Sequence, residues 1–144
     1  MLLTKKTILF ILYCSLVLSA GCATMTLGLA VGASAIKNQI EVTKERQKNE
    51  MINETIRKAI WNYGHFFYNN TIKLLTNLLE IRTNSEQQIV IHTYLGASFY
   101  LQGRVKDAED NFRKILLIDK NYKLDPKKYP PHMIKFYQKV KRVK

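Results

Sequence analysis

Two cysteines and three histidines are the residues of this chain with the widest chemical repertoire. Cys22 stands in the stretch "LVLSAGCAT", residues 16–24, and Cys14 precedes it inside an apolar run. A thiol so placed could be a nucleophile, a metal ligand, half of a disulfide or a point of covalent attachment. A reactive thiol needs a folded, electropositive pocket around it, and the neighbouring sequence offers none. His65, His92 and His132 are isolated, each without a second His, Cys or carboxylate at metal-ligand spacing. Neither a GxGxxG nor a GxxxxGK[ST] phosphate loop occurs. Glu80, Glu86 and Asp110 are scattered along helical segments and make no acid–base pair. The expectation is a protein that is not an enzyme, with no catalytic residue, metal or cofactor.

The segment around Cys22 gives that thiol its role. Lys5 and Lys6 precede the uncharged run "TILFILYCSLVLSA". A basic start, an apolar core and small residues after it are the parts of a secretory signal, whose charged end stays cytoplasmic while the apolar part enters the membrane. Ser19-Ala20-Gly21-Cys22, with Leu18 before it, resembles the lipobox of bacterial lipoproteins, although Ser19 stands where Leu is more frequent. The resemblance implies that Cys22 carries the lipid and that residues 1–21 are removed as a lipoprotein-type signal peptide. It places the protein in the bacterial cell envelope, membrane-anchored and outside the cytoplasm, on the outer membrane facing the periplasm in a Gram-negative cell. The rival is an uncleaved anchor over residues 7–36, long enough to cross a bilayer, which takes about 20 apolar residues. Cys14 is filler, and no disulfide is left to a mature chain with one lipidated cysteine.

Residues 22–50 connect anchor to domain. "ATMTLGLAVGASAI" (23–36) stays apolar but is too short to span alone. "KNQIEVTKERQKNE" is polar, mixed in charge and free of Pro and Gly, the composition of a solvated helical spacer rising about 1.5 Å per residue.

Residues 51–144 read as one small all-α domain. Ile52, Ile56, Ala59, Ile60, Tyr63 and Phe67 recur at helical steps. "YNN" at 68–70 interrupts that pattern, and Ile72, Leu75, Leu78 and Leu79 continue in a second helix. Ser85 with Glu86 and Gln87 marks the start of a third, which runs to Leu101. "QGR" turns the chain, and a fourth helix covers about Val105 to Ile118. No segment alternates with period two, so no strand is expected.

The third and fourth helices carry "HTYLGASFYLQGRVKDAEDNF", which resembles a tetratricopeptide repeat. Leu95-Gly96 falls on its Leu-Gly pair, Phe99 on its Tyr, Gly103 on the turn glycine, Ala108 on the small residue of the second helix and Phe112 on its aromatic. Small residues allow the paired helices to approach, rings fill the space beside them, and the glycine permits a tight turn. His92 replaces the usual Trp, Ile115 an Ala and Lys120 the closing Pro. The first pair, roughly 52–85, is degenerate. The resemblance implies about two repeats on a helical stalk, with a protein-binding groove lined by Val90, Thr93, Ala97 and Tyr100. Arrays normally need about three repeats to bury a continuous core. The segment opening at Pro130-Pro131, with Met133, Phe136, Tyr137, Val140 and Val143 at helical spacing, supplies a C-terminal capping helix. It is similar to tails that follow short arrays in other bacterial envelope proteins.

Charge separates the functional expectations. The chain carries a formal +12, and residues 113–144 hold 11 Lys or Arg against Asp119 and Asp125. Lys135, Lys139, Lys141, Arg142 and Lys144 form the basic patch of the tail. Such a patch attracts polyanions. For an exported protein these are anionic lipid, envelope polymer or an acidic partner protein, and not nucleic acid. The leading expectation is an envelope-anchored adaptor or assembly factor for a larger complex of pilus, secretion or polysaccharide-export type. The alternative is a structural tether whose basic tail holds anionic lipid or polymer.

Overall fold

A computed structural model describes residues 36–142. Among them every regular element is an α-helix and none is a strand, so the chain is all-α as its periodicities require. Residues 1–35, on which Cys22 and the expected signal peptide fall, as well as Val143 and Lys144, lie outside the described residues.

The chain divides into two compact units, Met1–Arg46 and Gln47–Lys144. In the first, residues 36–46 are helical and exposed, and Thr43 Oγ1 donates to the Gln39 carbonyl at 2.7 Å. No helix of the described residues is long and apolar enough to cross a membrane.

The second unit contains five helices. The first, α1, is described over residues 36–64, of which 47–64 belong to this unit. Then follow α2 (Tyr68–Leu78), α3 (Ser85–Leu101), α4 (Val105–Ile118) and α5 (Pro131–Arg142). Consecutive helices pack on one another from α2 to α5. The core takes Ile52, Ile56 and Ala59 from α1 and Leu75 and Leu78 from α2. It adds Ile91, Leu95 and Phe99 from α3, Ala108, Phe112 and Ile115 from α4, and Met133, Tyr137 and Val140 from α5. These are the three-and-four-spaced stripes of the sequence, turned inward because apolar surface leaves water.

Gln87 joins the start of α3 to α1. Asn84 caps α3: its Oδ1 accepts from the Gln87 amide at 2.8 Å, while its own amide donates to Gln87 Oε1 at 3.1 Å. This reciprocal pair is a capping box, and it sets the N-cap at Asn84, one residue before the Ser85 start signal. Gln87 Nε2 then reaches α1 and donates to Asn53 Oδ1 at 3.0 Å. Further along the same two helices, Tyr63 meets the ring edge of Tyr94 at 5.2 Å.

The end of α1 differs from the expected one. Phe67 was expected on the buried face, with the break at Tyr68–Asn70. Instead α1 stops at Gly64, and Tyr68–Asn70 form the first turn of α2. The Phe67 amide donates back to the Asn62 carbonyl at 2.9 Å, and the Phe66 amide to Tyr63 at 3.1 Å. Phe66 sits between them at φ +65°. This is a Schellman closure, whose left-handed residue is usually glycine. The same closure ends α3: the Arg104 amide donates to Phe99 at 2.9 Å and that of Gly103 to Tyr100 at 3.0 Å, with Gly103 at φ +76°.

Aligned in sequence on the two closures, Phe66 stands opposite Gly103 at an offset of 37 residues. At that offset four buried positions of the first pair meet four of the second: Ala59 and Gly96, Thr71 and Ala108, Leu75 and Phe112, Leu78 and Ile115. Thr71 is tolerated in this seam because its hydroxyl donates to the Ala59 carbonyl at 3.2 Å, which satisfies a buried polar group. The α3–α4 seam is tighter. A Cβ added at Gly96 would lie 2.6 Å from Phe112 Cε1, an approach that only glycine allows.

Candidate functional site

The four expected groove positions on α3 do not form one open surface. Thr93 and Ala97 are buried, and the Thr93 hydroxyl donates to the Ile89 carbonyl at 2.7 Å. Val90 and Tyr100 are half-buried against the core. The Tyr100 ring stacks on Phe136 at 4.9 Å and on His132 at 5.7 Å. Its hydroxyl donates to the His132 carbonyl at 3.4 Å. The Tyr100 end of the face is therefore occupied by α5 of the same chain.

An open apolar surface lies instead between α4 and α5. A cleft of about 640 Å³ has Leu116, Leu117 and Val140 as its apolar walls and Arg113, Lys120 and Lys141 around them. Leu117 is 82% exposed, and no acidic side chain lines the cleft. Arg113 is held by Glu109 one turn earlier. The run "ILLI" (115–118) explains the surface: Ile115 is buried in the core and Leu116 packs partly against it, which leaves Leu117 to solvent. Four consecutive apolar residues exceed what a one-sided helix needs, and that was the signal available in the sequence.

One residue of the expected basic patch, Lys141, lines this cleft. Lys135, Lys139 and Arg142 are exposed on α5, and Lys141 is half-buried at the cleft wall. Lys144 lies outside the described residues.

His92 occupies a different place. It is buried on α3, and its Nδ1 lies 2.9 Å from Asn111 Oδ1 on α4. Asn111 Nδ2 donates to the Asp107 carbonyl at 2.8 Å, so Asn111 Oδ1 must accept, and His92 Nδ1 carries the proton. Burial pushes the imidazole below its usual range; the Asn111 bond opposes that shift and Lys114 adds to it. The arrangement ties two helices together and contains no carboxylate to make the ring a base. A depressed value means that the unfolded chain binds more protons than the folded one in acid. The His92 contribution to stability is thus complete above about pH 6.5 and is lost as the pH falls below it. The shift of urea midpoint between pH 7.5 and 5 should be smaller in His92→Gln than in the parent. An equal shift would assign the acid sensitivity to other groups.

Buried phenols also titrate late: Tyr137 is pushed up to about 12, first by burial and then by Tyr122 and Asp119. Its hydroxyl donates to the Tyr122 carbonyl at 3.1 Å. Among the described residues no group of three or more His, Cys, Asp or Glu is placed to hold a metal ion. No protein-family model, no curated protein and no solved structure matches this chain.

Proposed function

We propose that this chain is a protein-binding adaptor of the bacterial envelope, anchored through a lipid on Cys22 and serving a larger complex such as a pilus, secretion or polysaccharide-export assembly. The observation that carries the binding role is the α4–α5 cleft, with apolar walls at Leu116, Leu117 and Val140 and cations at Arg113, Lys120 and Lys141. Its chemistry fits an amphipathic partner segment with an apolar face and acidic edges. Apolar contact would give affinity, and the cations would steer approach and orientation. The tetratricopeptide-like spacing of Leu95, Gly96, Phe99, Gly103, Ala108 and Phe112 agrees with a binding role, as does the lipobox-like Ser19-Ala20-Gly21-Cys22 with a place in the envelope.

The test uses the full-length protein solubilised from envelopes. Leu117 is largely exposed, so Leu117→Asp should leave the unfolding free energy within about 0.5 kcal/mol of the parent. If Leu117 is the anchor of the interface, the same change should weaken partner recovery about tenfold or more. The recovered partner should also contain an acidic-edged amphipathic segment. Undiminished recovery by Leu117→Asp rejects the cleft.

A second reading has its own support in the exposed Lys135, Lys139 and Arg142: a tether that holds anionic lipid or polymer by charge. Such binding fades as salt rises, because exposed charges are screened beyond about 8 Å at physiological ionic strength. Binding through the apolar cleft should persist.

A further inference from the structure

The turn between α1 and α2 exposes aromatic rings that the core does not use. Trp61 is 57% exposed, Phe66 76% and Phe67 52%. His65 stacks on Trp61 with ring centroids 3.9 Å apart, and Phe67 lies 6.4 Å from the same indole. Single exposed apolar residues are ordinary, but a contiguous apolar group is not.

The backbone makes the grouping more pointed. Phe66 holds a left-handed conformation in which a bulky side chain is disfavoured. The matching turn of the second pair has Gly103 there, followed by Arg104. Arg104 pairs with Asp107 at 2.7 Å and covers the Phe99 ring. In the first pair the two positions carry Phe66 and Phe67, both exposed. Local stability would favour glycine at the first and a polar residue at the second. Gly64, which could have served, lies two residues too early.

Charge decides what would receive these rings. From residue 55 to 79 the chain holds Arg57, Lys58 and Lys73 and no Asp or Glu. Arg57 and Lys58 lie one helical turn before Trp61, on neighbouring faces of α1. Along this stretch of sequence the aromatic residues are therefore accompanied by cations and by no carboxylate. Indole and phenyl rings partition to the boundary between headgroups and acyl chains, and lysine and arginine beside them are attracted to anionic headgroups. The α4–α5 cleft is lined by other residues, so this surface is distinct from the proposed protein-binding site.

We infer that the α1–α2 turn is a membrane-contact site, in which Trp61, Phe66 and Phe67 enter the interfacial layer of an anionic bilayer while Arg57, Lys58 and Lys73 engage its headgroups. The contact brings the folded domain itself to the bilayer and does not depend on lipidation of Cys22.

Trp61 is the single tryptophan of the chain, so its emission reports this site even when the N-terminus is also membrane-bound. Full-length protein would be reconstituted into phosphatidylglycerol-containing vesicles and, separately, into pure phosphatidylcholine. In the anionic vesicles Trp61 emission should move to the blue and be quenched by lipids brominated on their acyl chains. In the neutral vesicles, and in the anionic ones at high salt, both effects should be weaker. The variant Phe66→Gly, Phe67→Ser should at least halve the quenching. Glycine suits the left-handed position, so this variant should melt no lower than the parent. A folded variant quenched as strongly as the parent overturns the inference, as does a parent whose Trp61 is unquenched in anionic vesicles. Protection of Trp61 from aqueous quencher by a single-stranded oligonucleotide, but not by vesicles, would reassign the surface to nucleic acid.

Discussion

Removing residues 129–144 should abolish the cooperative melting of the Gln47–Lys144 unit. The deletion takes away Tyr129, Met133, Tyr137 and Val140, all buried. It strips the rings of Tyr137 and Phe136 from Phe112, which they meet at centroid distances of 5.3 and 6.1 Å. It also uncovers Tyr100. Truncating one buried Met-sized side chain costs about 2–5 kcal/mol, and a whole domain is stable by only about 5–15 kcal/mol. Losing four such side chains exceeds what so small a core can spare. Charge loss alone should not do this: Lys135, Lys139 and Arg142 are exposed, and changing all three to Gln should leave the thermal transition near its original temperature. Circular dichroism melts of the three proteins separate packing from electrostatics. A truncated chain that melts with parental cooperativity would show that α5 is not a cap.

The other large effect concerns two glycines that should respond in opposite directions. Gly96→Leu should destabilise by about 3 kcal/mol, at the upper end of ordinary overpacking. Even its Cβ would fall 2.6 Å from Phe112 Cε1 and 2.7 Å from Cδ1, and the ring is fully buried with Tyr137 and Phe136 against it. Gly64→Ala should stabilise by up to about 1 kcal/mol, because alanine is the better helix former and nothing lies within 4 Å of the added carbon. Denaturant midpoints decide the matter. If Gly96→Leu proved harmless, the close approach of α3 to α4 would be wrong. Pairing it with Phe112→Leu should recover part of the loss.

Much of the helical order was legible because its signals are local. Ser85, Leu101, Val105 and Ile118 bound α3 and α4 as expected, since Asn84 and Gln87 cap one end and "QGR" turns the other. The end of α1 was misread for an equally local reason. Residue type gives no warning that Phe66 will take the left-handed conformation, and two adjacent asparagines look like a break although they begin α2. The candidate surfaces depended on long-range packing. Thr93 and Ala97 share the helical face expected to stay open, yet only the placement of the surrounding helices decides that they are core. Leu117 is exposed beside Val140 because α5 comes to rest on α4, and no short window of sequence contains that contact.

Gln87 uses both ends of its amide: Oε1 completes the cap of α3, and Nε2 holds Asn53 on α1. Unwinding the first turn of α3 therefore also costs α1 one of its bonds, although the buried Ile52, Ile56 and Ala59 still hold that helix. In a repeat array, neighbouring units can peel off in sequence, each opening at its own free energy. Here a single side chain joins the initiation of one helix to the docking of another. Opening at the junction of the two pairs should therefore be coupled, by about the 0.5–1.5 kcal/mol that one hydrogen bond contributes.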